Sequence, residues 1–156
     1  MTISIPPLPD EFLQRARIAA TDDQGQPVKR VVATGGEPCR DVLRRAREGE
    51  ELILASFSPF KLAGPYKEYG PVFLLAKPSD EAVVRDTLPL NEATPYLREQ
   101  FVIRAYSAAE EIVDAKLTTP AAAMGVVDRF FESPEVAFLH VRFPAYGCFA
   151  CRIDRA

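Results

Sequence analysis

His140 is the chain's only histidine, and it sits in a run, residues 136–143, that is otherwise mostly apolar. An imidazole there can donate, accept or transfer a proton near neutral pH. Cys148 and Cys151 follow closely, spaced Cys-x-x-Cys as in thiol redox centres and zinc sites. On an unbroken strand, residues three apart point to opposite faces, so the two thiols neither pair nor share a metal unless the strand breaks between them. A tight loop at 144–147 gives a hairpin register that pairs Phe143 with Cys148 and sets His140 opposite Cys151. A thiol beside an imidazole is the start of a Cys/His nucleophile, provided a third group orients the ring. The competing reading is a histidine hydrogen-bonded in or near the core. Arg40, Arg104, Arg142 and Arg152 lie beside turn or strand residues rather than in charge-rich runs, and arginine forks suit carboxylates and phosphates. Arg104 and Tyr106 share one strand face, which suits either an anion pocket with a phenol donor or a solvated face with ion pairs. The loop Gly64-Pro65-Tyr66-Lys67-Glu68-Tyr69-Gly70-Pro71 reads as the rim of a ligand site or as a plain crossing of the sheet. Cys39 completes the count for one zinc site with the other two cysteines and His140, but its spacing does not support one, and no metal is expected.

Several elements must position these groups. Asp10 reads as the N-cap of a short amphipathic helix carrying Phe12, Leu13, Ala16 and Ile18. Residues 28–33 read as a strand and 41–47 as a two-turn helix closed by Gly49. The runs at 51–57 and 71–77 have the compact apolar character of buried strands. Residues 79–98 read as a long connection with one helical turn near 80–85. Residues 100–107 alternate, with 110–118 returning beside them as a hairpin partner. Thr119 and Pro120 open the strongest helix, which Ser133 and Pro134 stop. Strands at 136–143 and 147–153 follow. Without regular alternation of strand and helix, the expectation is an α+β fold: a mostly antiparallel sheet of about seven strands with two or three helices, residues 1–156 forming a single domain.

Composition narrows the function classes. The 156 residues are 47% hydrophobic and 26% charged, as in ordinary folded domains, so disordered and coiled-coil classes fall away. A net charge of −3 with mixed signs argues against nucleic acid as main partner and disfavours anionic membranes. The longest stretch without charge, residues 117–127, contains Pro120 and Gly125, so no transmembrane helix is expected. The opening residues lack the basic start and apolar run of an export signal, and an odd number of cysteines, three, argues for reduced thiols. Both point to the cytoplasm. No Gly-x-Gly-x-x-Gly, P-loop, Gly-x-Ser-x-Gly or two-histidine metal motif occurs, so no cofactor is indicated.

At the candidate residues a resemblance emerges. Pro38-Cys39-Arg40, Gly49-Glu50, Gly64-Pro65-Tyr66, Gly70-Pro71-Val72-Phe73, Arg104-Ala105-Tyr106, His140, Gly147-Cys148-Phe149-Ala150 and Arg152-Ile153-Asp154-Arg155 resemble, in order and spacing, the bacterial domain-of-unknown-function family 1203. The resemblance covers nearly the whole chain. It implies a bacterial stand-alone protein of about this length and carries over no reaction, substrate or catalytic residue.

Three functional readings follow. The first is a small-molecule enzyme or binding domain whose pocket gathers Cys39, Arg40, Tyr66, Arg104, Tyr106, His140 and Cys148 around an anionic ligand. The alternative is an interaction module or homodimer without catalysis, using the apolar terminal hairpin with Phe143, Tyr146 and Phe149. A thiol redox or metal sensor built on Cys148 and Cys151 stands behind both.

Overall fold

Ten strands and two helices are laid out along the chain in a computed structural model that describes residues 1–93 and 95–156. In order they are β1 (Ile3–Ser4), α1 (Asp10–Gln14), β2 (Lys29–Val32), β3 (Pro38–Cys39), β4 (Arg44–Arg45), β5 (Glu51–Phe57), β6 (Gly70–Leu75), β7 (Phe101–Tyr106), β8 (Ile112–Thr118), α2 (Pro120–Glu132), β9 (Phe138–Arg142) and β10 (Phe149–Arg155). A wider π-helical turn, Arg15–Ala19, prolongs α1.

The class is α+β, but one sheet of about seven strands gives way to two sheets of five. One has the order β1-β10-β9-β7-β8 and is antiparallel throughout; the other has the order β2-β5-β6-β3-β4, with β3 and β6 parallel. The count differs because β1, β3 and β4 are two residues long, too short to leave an alternating pattern in the sequence. The division follows from connectivity. The ladder β5–β6 and the ladder β8–β7–β9–β10 are each complete in themselves, and the segment 76–100 that joins them has no strand among its described residues.

The helix expected at 41–47 is absent. Pro38 and Cys39 instead pair with Arg45 and Arg44 around a turn in which Leu43 takes the left-handed region at φ 51. A segment this short bears the full nucleation cost of a helix. Its residues also find better partners elsewhere: Asp41 accepts from the Leu75 amide at 3.2 Å and from Arg17 Nη2 at 2.8 Å, and Arg44 spans Glu50 and Glu81. The helical turn near 80–85 is likewise missing, although Tyr96 and Leu97 from the same connection are buried.

α2 forms where Thr119 and Pro120 place it, with Thr119 extended and Pro120 first in the helix, where a missing amide costs nothing. Its Ala123, Val127 and Phe131 pack on Ile103, Leu139, Val141 and Ile153 of the antiparallel sheet. Each large apolar side chain so buried stabilises by about 1.5–3 kcal/mol. Phe12 and Ala16 near α1 pack on Ile53, Phe57 and Leu74 of the other sheet, in a cluster that Phe149 of β10 joins. Phe149 therefore ties the two sheets together. Among the described residues no helix is long and apolar enough to cross a membrane.

Candidate functional site

β9 is the middle strand of its sheet, and His140 is the middle residue of β9. Across the ladder it faces Arg104 on β7 and Arg152 on β10. Directly opposed residues project to the same side, so three basic side chains stand in a row on the face turned away from α2. On one side of the row, Arg142 lies between Val102 and Phe149; on the other, Phe138 faces Tyr106.

A β-bulge makes this row. The loop sets Phe143 against Cys148, as the hairpin geometry predicts, and Arg142 against Phe149. The ladder then slips by one residue at Ala150, so Cys151 faces Val141 and Arg152 faces His140. The expected Cys151–His140 pairing is overturned: the bulge turns the thiol into the core and a guanidinium toward the imidazole. Burial pushes the Cys151 thiol up to about 12.

His140 is 0% exposed. The rings of Phe60, Tyr106, Phe138 and Phe149 surround it, with centroids 4.7–5.1 Å from its own. Arg142, its side chain only 5% exposed, is ion-paired with Glu68, donates Nη1 to the Gly147 carbonyl at 3.3 Å, and holds Nη2 3.5 Å from His140 Nδ1. Arg104 Nη1 lies 3.8 Å from the same Glu68 oxygen. Arg152 pairs with Asp154 at 2.8 Å and covers Phe138 at 4.0 Å. Three guanidiniums thus share two carboxylates, Glu68 and Asp154. Desolvation, reinforced by Arg142, Arg152 and Arg104, holds His140 well below its ordinary value and therefore neutral.

Unmet polar atoms concentrate here. A guanidinium can only donate, so Nδ1 of His140 accepts and the ring proton sits on Nε2, which is buried without a partner. Arg142 Nε is buried without one too. Glu68 Oε1 touches Arg142 as an ion pair, yet no donor is directed at it as a hydrogen bond; the electrostatic contact is real and the directional one is lacking. Each such group costs about 1–3 kcal/mol, and more when charged. Beside the row lies a cavity of about 250 Å³ whose wall includes His140, Arg152, Lys61, Phe60 and Arg40, with residues 6–9 forming another side.

The residues singled out from sequence do not meet in one pocket. Arg104, Tyr106 and His140 come together, Tyr106 stacking on Phe138 at 5.2 Å. Arg40 reaches the small cavity and also lines a larger groove, which Cys148 shares. Cys39 is fully buried, its Sγ 3.6 Å from the Glu37 carbonyl and its thiol pushed up to about 12 chiefly by burial. Tyr66 stays exposed on its loop. That loop does rim the site, but through Glu68 rather than its tyrosines. Glu68 and Phe60 escape a reading of sequence because neither lies in a periodic segment. Phe143 and Phe149 of the terminal hairpin are buried, which leaves Tyr146 alone on the surface.

Together these features define an α+β protein with an arginine-lined, buried-histidine candidate site on the face of an antiparallel sheet turned away from α2. A family model for a protein of unknown function, DUF1203, matches residues 36–155, and the chain belongs to that family. No curated protein and no solved structure matches the chain.

Proposed function

We propose that the chain binds a small anionic molecule, a carboxylate or phosphate, on the row formed by Arg104, His140 and Arg152 together with Arg142. The observation that carries this reading is the gathering of unmet buried polar atoms, His140 Nε2 and Arg142 Nε, where positive charge exceeds negative. An anion supplies acceptors for both donors and balances the third guanidinium. Glu68, 41% exposed on a loop, occupies the anion's place in the free protein. Donors, not a nucleophile, are what the row offers, since Cys151 faces the core. This supports binding ahead of turnover.

The test is thermal unfolding in the presence of inorganic phosphate and of small mono- and dicarboxylates. A ligand at a hundredfold excess over its dissociation constant stabilises by about 2.7 kcal/mol. The shift should be lost in Arg104→Ala and Arg152→Ala and should grow in Glu68→Gln, which removes the competing carboxylate. Shifts of equal size in the wild type and in both folded arginine variants would exclude this site.

A further inference from the structure

The groove that Arg40 shares with Cys148 is larger than the cavity beside His140, at about 880 Å³, and its chemistry differs. Leu54 and Phe73 of the β5–β6 ladder and Phe143 at the end of β9 give it an apolar floor. Above that floor stand Arg40, Arg45 and Arg98.

Arg40 is 4% exposed, yet no carboxylate lies within ion-pair distance of it among the described residues. Nε donates to the Phe149 carbonyl at 2.8 Å and Nη1 to the Pro38 carbonyl at 2.7 Å. Arg45 is in the same position: it donates to the carbonyls of Gly36 at 2.7 Å, Tyr96 at 2.9 Å and Pro95 at 3.3 Å, and to no acid. Both guanidiniums lie over the ring of Phe143, at 5.2 and 5.4 Å. Arg98, in the left-handed region at φ 57, adds a third cation against Gly36.

Two acids, Glu37 and Glu99, line the groove against three guanidiniums, and the Glu37 carboxylate is turned to the amides of Thr34 at 2.9 Å and Gly35 at 2.8 Å rather than to an arginine. Carbonyl dipoles hold a guanidinium in place without cancelling its charge, and arginine cannot shed its proton. A buried cation without a counter-charge is destabilising until one is supplied. The net charge of the chain is −3, so the excess of positive charge here is local.

We infer that this groove is a second binding site, separate from the His140 row, for an amphipathic organic anion: a carboxylate or phosphate head on Arg40, Arg45 and Arg98, and an alkyl or aromatic body on Leu54, Phe73 and Phe143. The volume suits a ligand of drug-like size, and an apolar lining with a few convergent charged groups is the usual make-up of such sites.

The test uses anilinonaphthalene sulfonate, an amphipathic anion that fluoresces on leaving water, with uncharged N-phenylnaphthylamine as comparison. In the full-length folded protein the anionic dye should bind once per chain. Arg98→Glu reverses an exposed charge and leaves the core alone; it should weaken the anionic dye at least fivefold and the neutral dye less than twofold. Decanoate or decyl phosphate should displace the dye, whereas inorganic phosphate should not. Arg104→Ala, which disables the His140 row, should leave dye affinity unchanged, so either site can fail without the other. The inference is overturned if the folded protein leaves the dye dark, if Arg98→Glu and Arg45→Ala both bind it as the wild type does while unfolding cooperatively, or if neither decanoate nor decyl phosphate competes.

Discussion

Acid should unfold this protein earlier than its carboxylates require, and His140 sets the amount. In the folded chain four aromatic rings desolvate the imidazole, and Arg104, Arg142 and Arg152 repel a proton from it, while Glu68 and Asp154 are occupied by those arginines. In the unfolded chain the same ring titrates near 6.5. The folded value is the depressed one, so the unfolded state takes up the extra proton as pH falls below 6.5. Stability is complete above that point and declines from there down to the depressed folded value. At pH 5.5 the unfolded state gains a factor of about 11, and with the folded ring neutral the loss is about 1.4 kcal/mol. For a chain of this length, 1.4 kcal/mol corresponds to a drop in Tm of about 3–6 °C. His140 is the only histidine, so His140→Leu isolates the effect. Urea unfolding of both proteins at pH 8.0 and 5.5 should show the wild type losing about 1.4 kcal/mol more than the variant. The imidazole proton resonances of the folded wild type should hold still over the same range. Equal pH dependence in the two proteins, or a folded histidine titrating near 6.5, would refute the claim that burial and the arginines keep the ring neutral.

Other expectations come from single contacts. Ellman's reagent should find one thiol, Cys148, in the native protein and three in denaturant, because Cys39 and Cys151 are buried and their thiolates disfavoured. Tyr96→Phe removes a fully buried hydroxyl that donates to the Ala150 carbonyl at 2.8 Å, and urea titration should show a loss of about 1–2 kcal/mol. Asp22→Ala should cost about 2–3 kcal/mol by the same assay, since its carboxylate accepts from the amides of Gln24, Gln26 and Ser56 and its removal leaves turn and strand amides unmet.

What sequence shows of this molecule depends on how local the determining contacts are. β5, β7 and α2 are legible because each carries its own periodicity or stop signals over six or more residues. β3 and β4 are not, because they exist only through pairing with β6 and with each other. His140, Arg104 and Tyr106 stand out as polar or aromatic residues in apolar strands, and their shared face follows from strand parity. Glu68 and Phe60 reach them from an aperiodic loop, which parity cannot address. Cys148 and Cys151 draw attention by their spacing, yet a slip at Ala150, a residue with no signal of its own, decides where the second thiol points.

That slip has a consequence for how the chain can change length. The turn at residues 144–147 lies beyond the last paired rung, so a residue gained or lost there leaves the ladder below it in step. Removing Ala150 would do the same, because the rungs on either side of it, Phe149–Arg142 and Cys151–Val141, are already consecutive on β9. Flattening the bulge with Ala150 kept and paired to Val141 is the damaging change: Cys151 would come round to His140, and Arg152 would turn into the apolar layer under α2, where a lone guanidinium has no counter-charge. The anion-facing row therefore depends on one residue staying out of the ladder. Length variation in this hairpin should collect at its tip and at Ala150, the two places where the rungs stay in step.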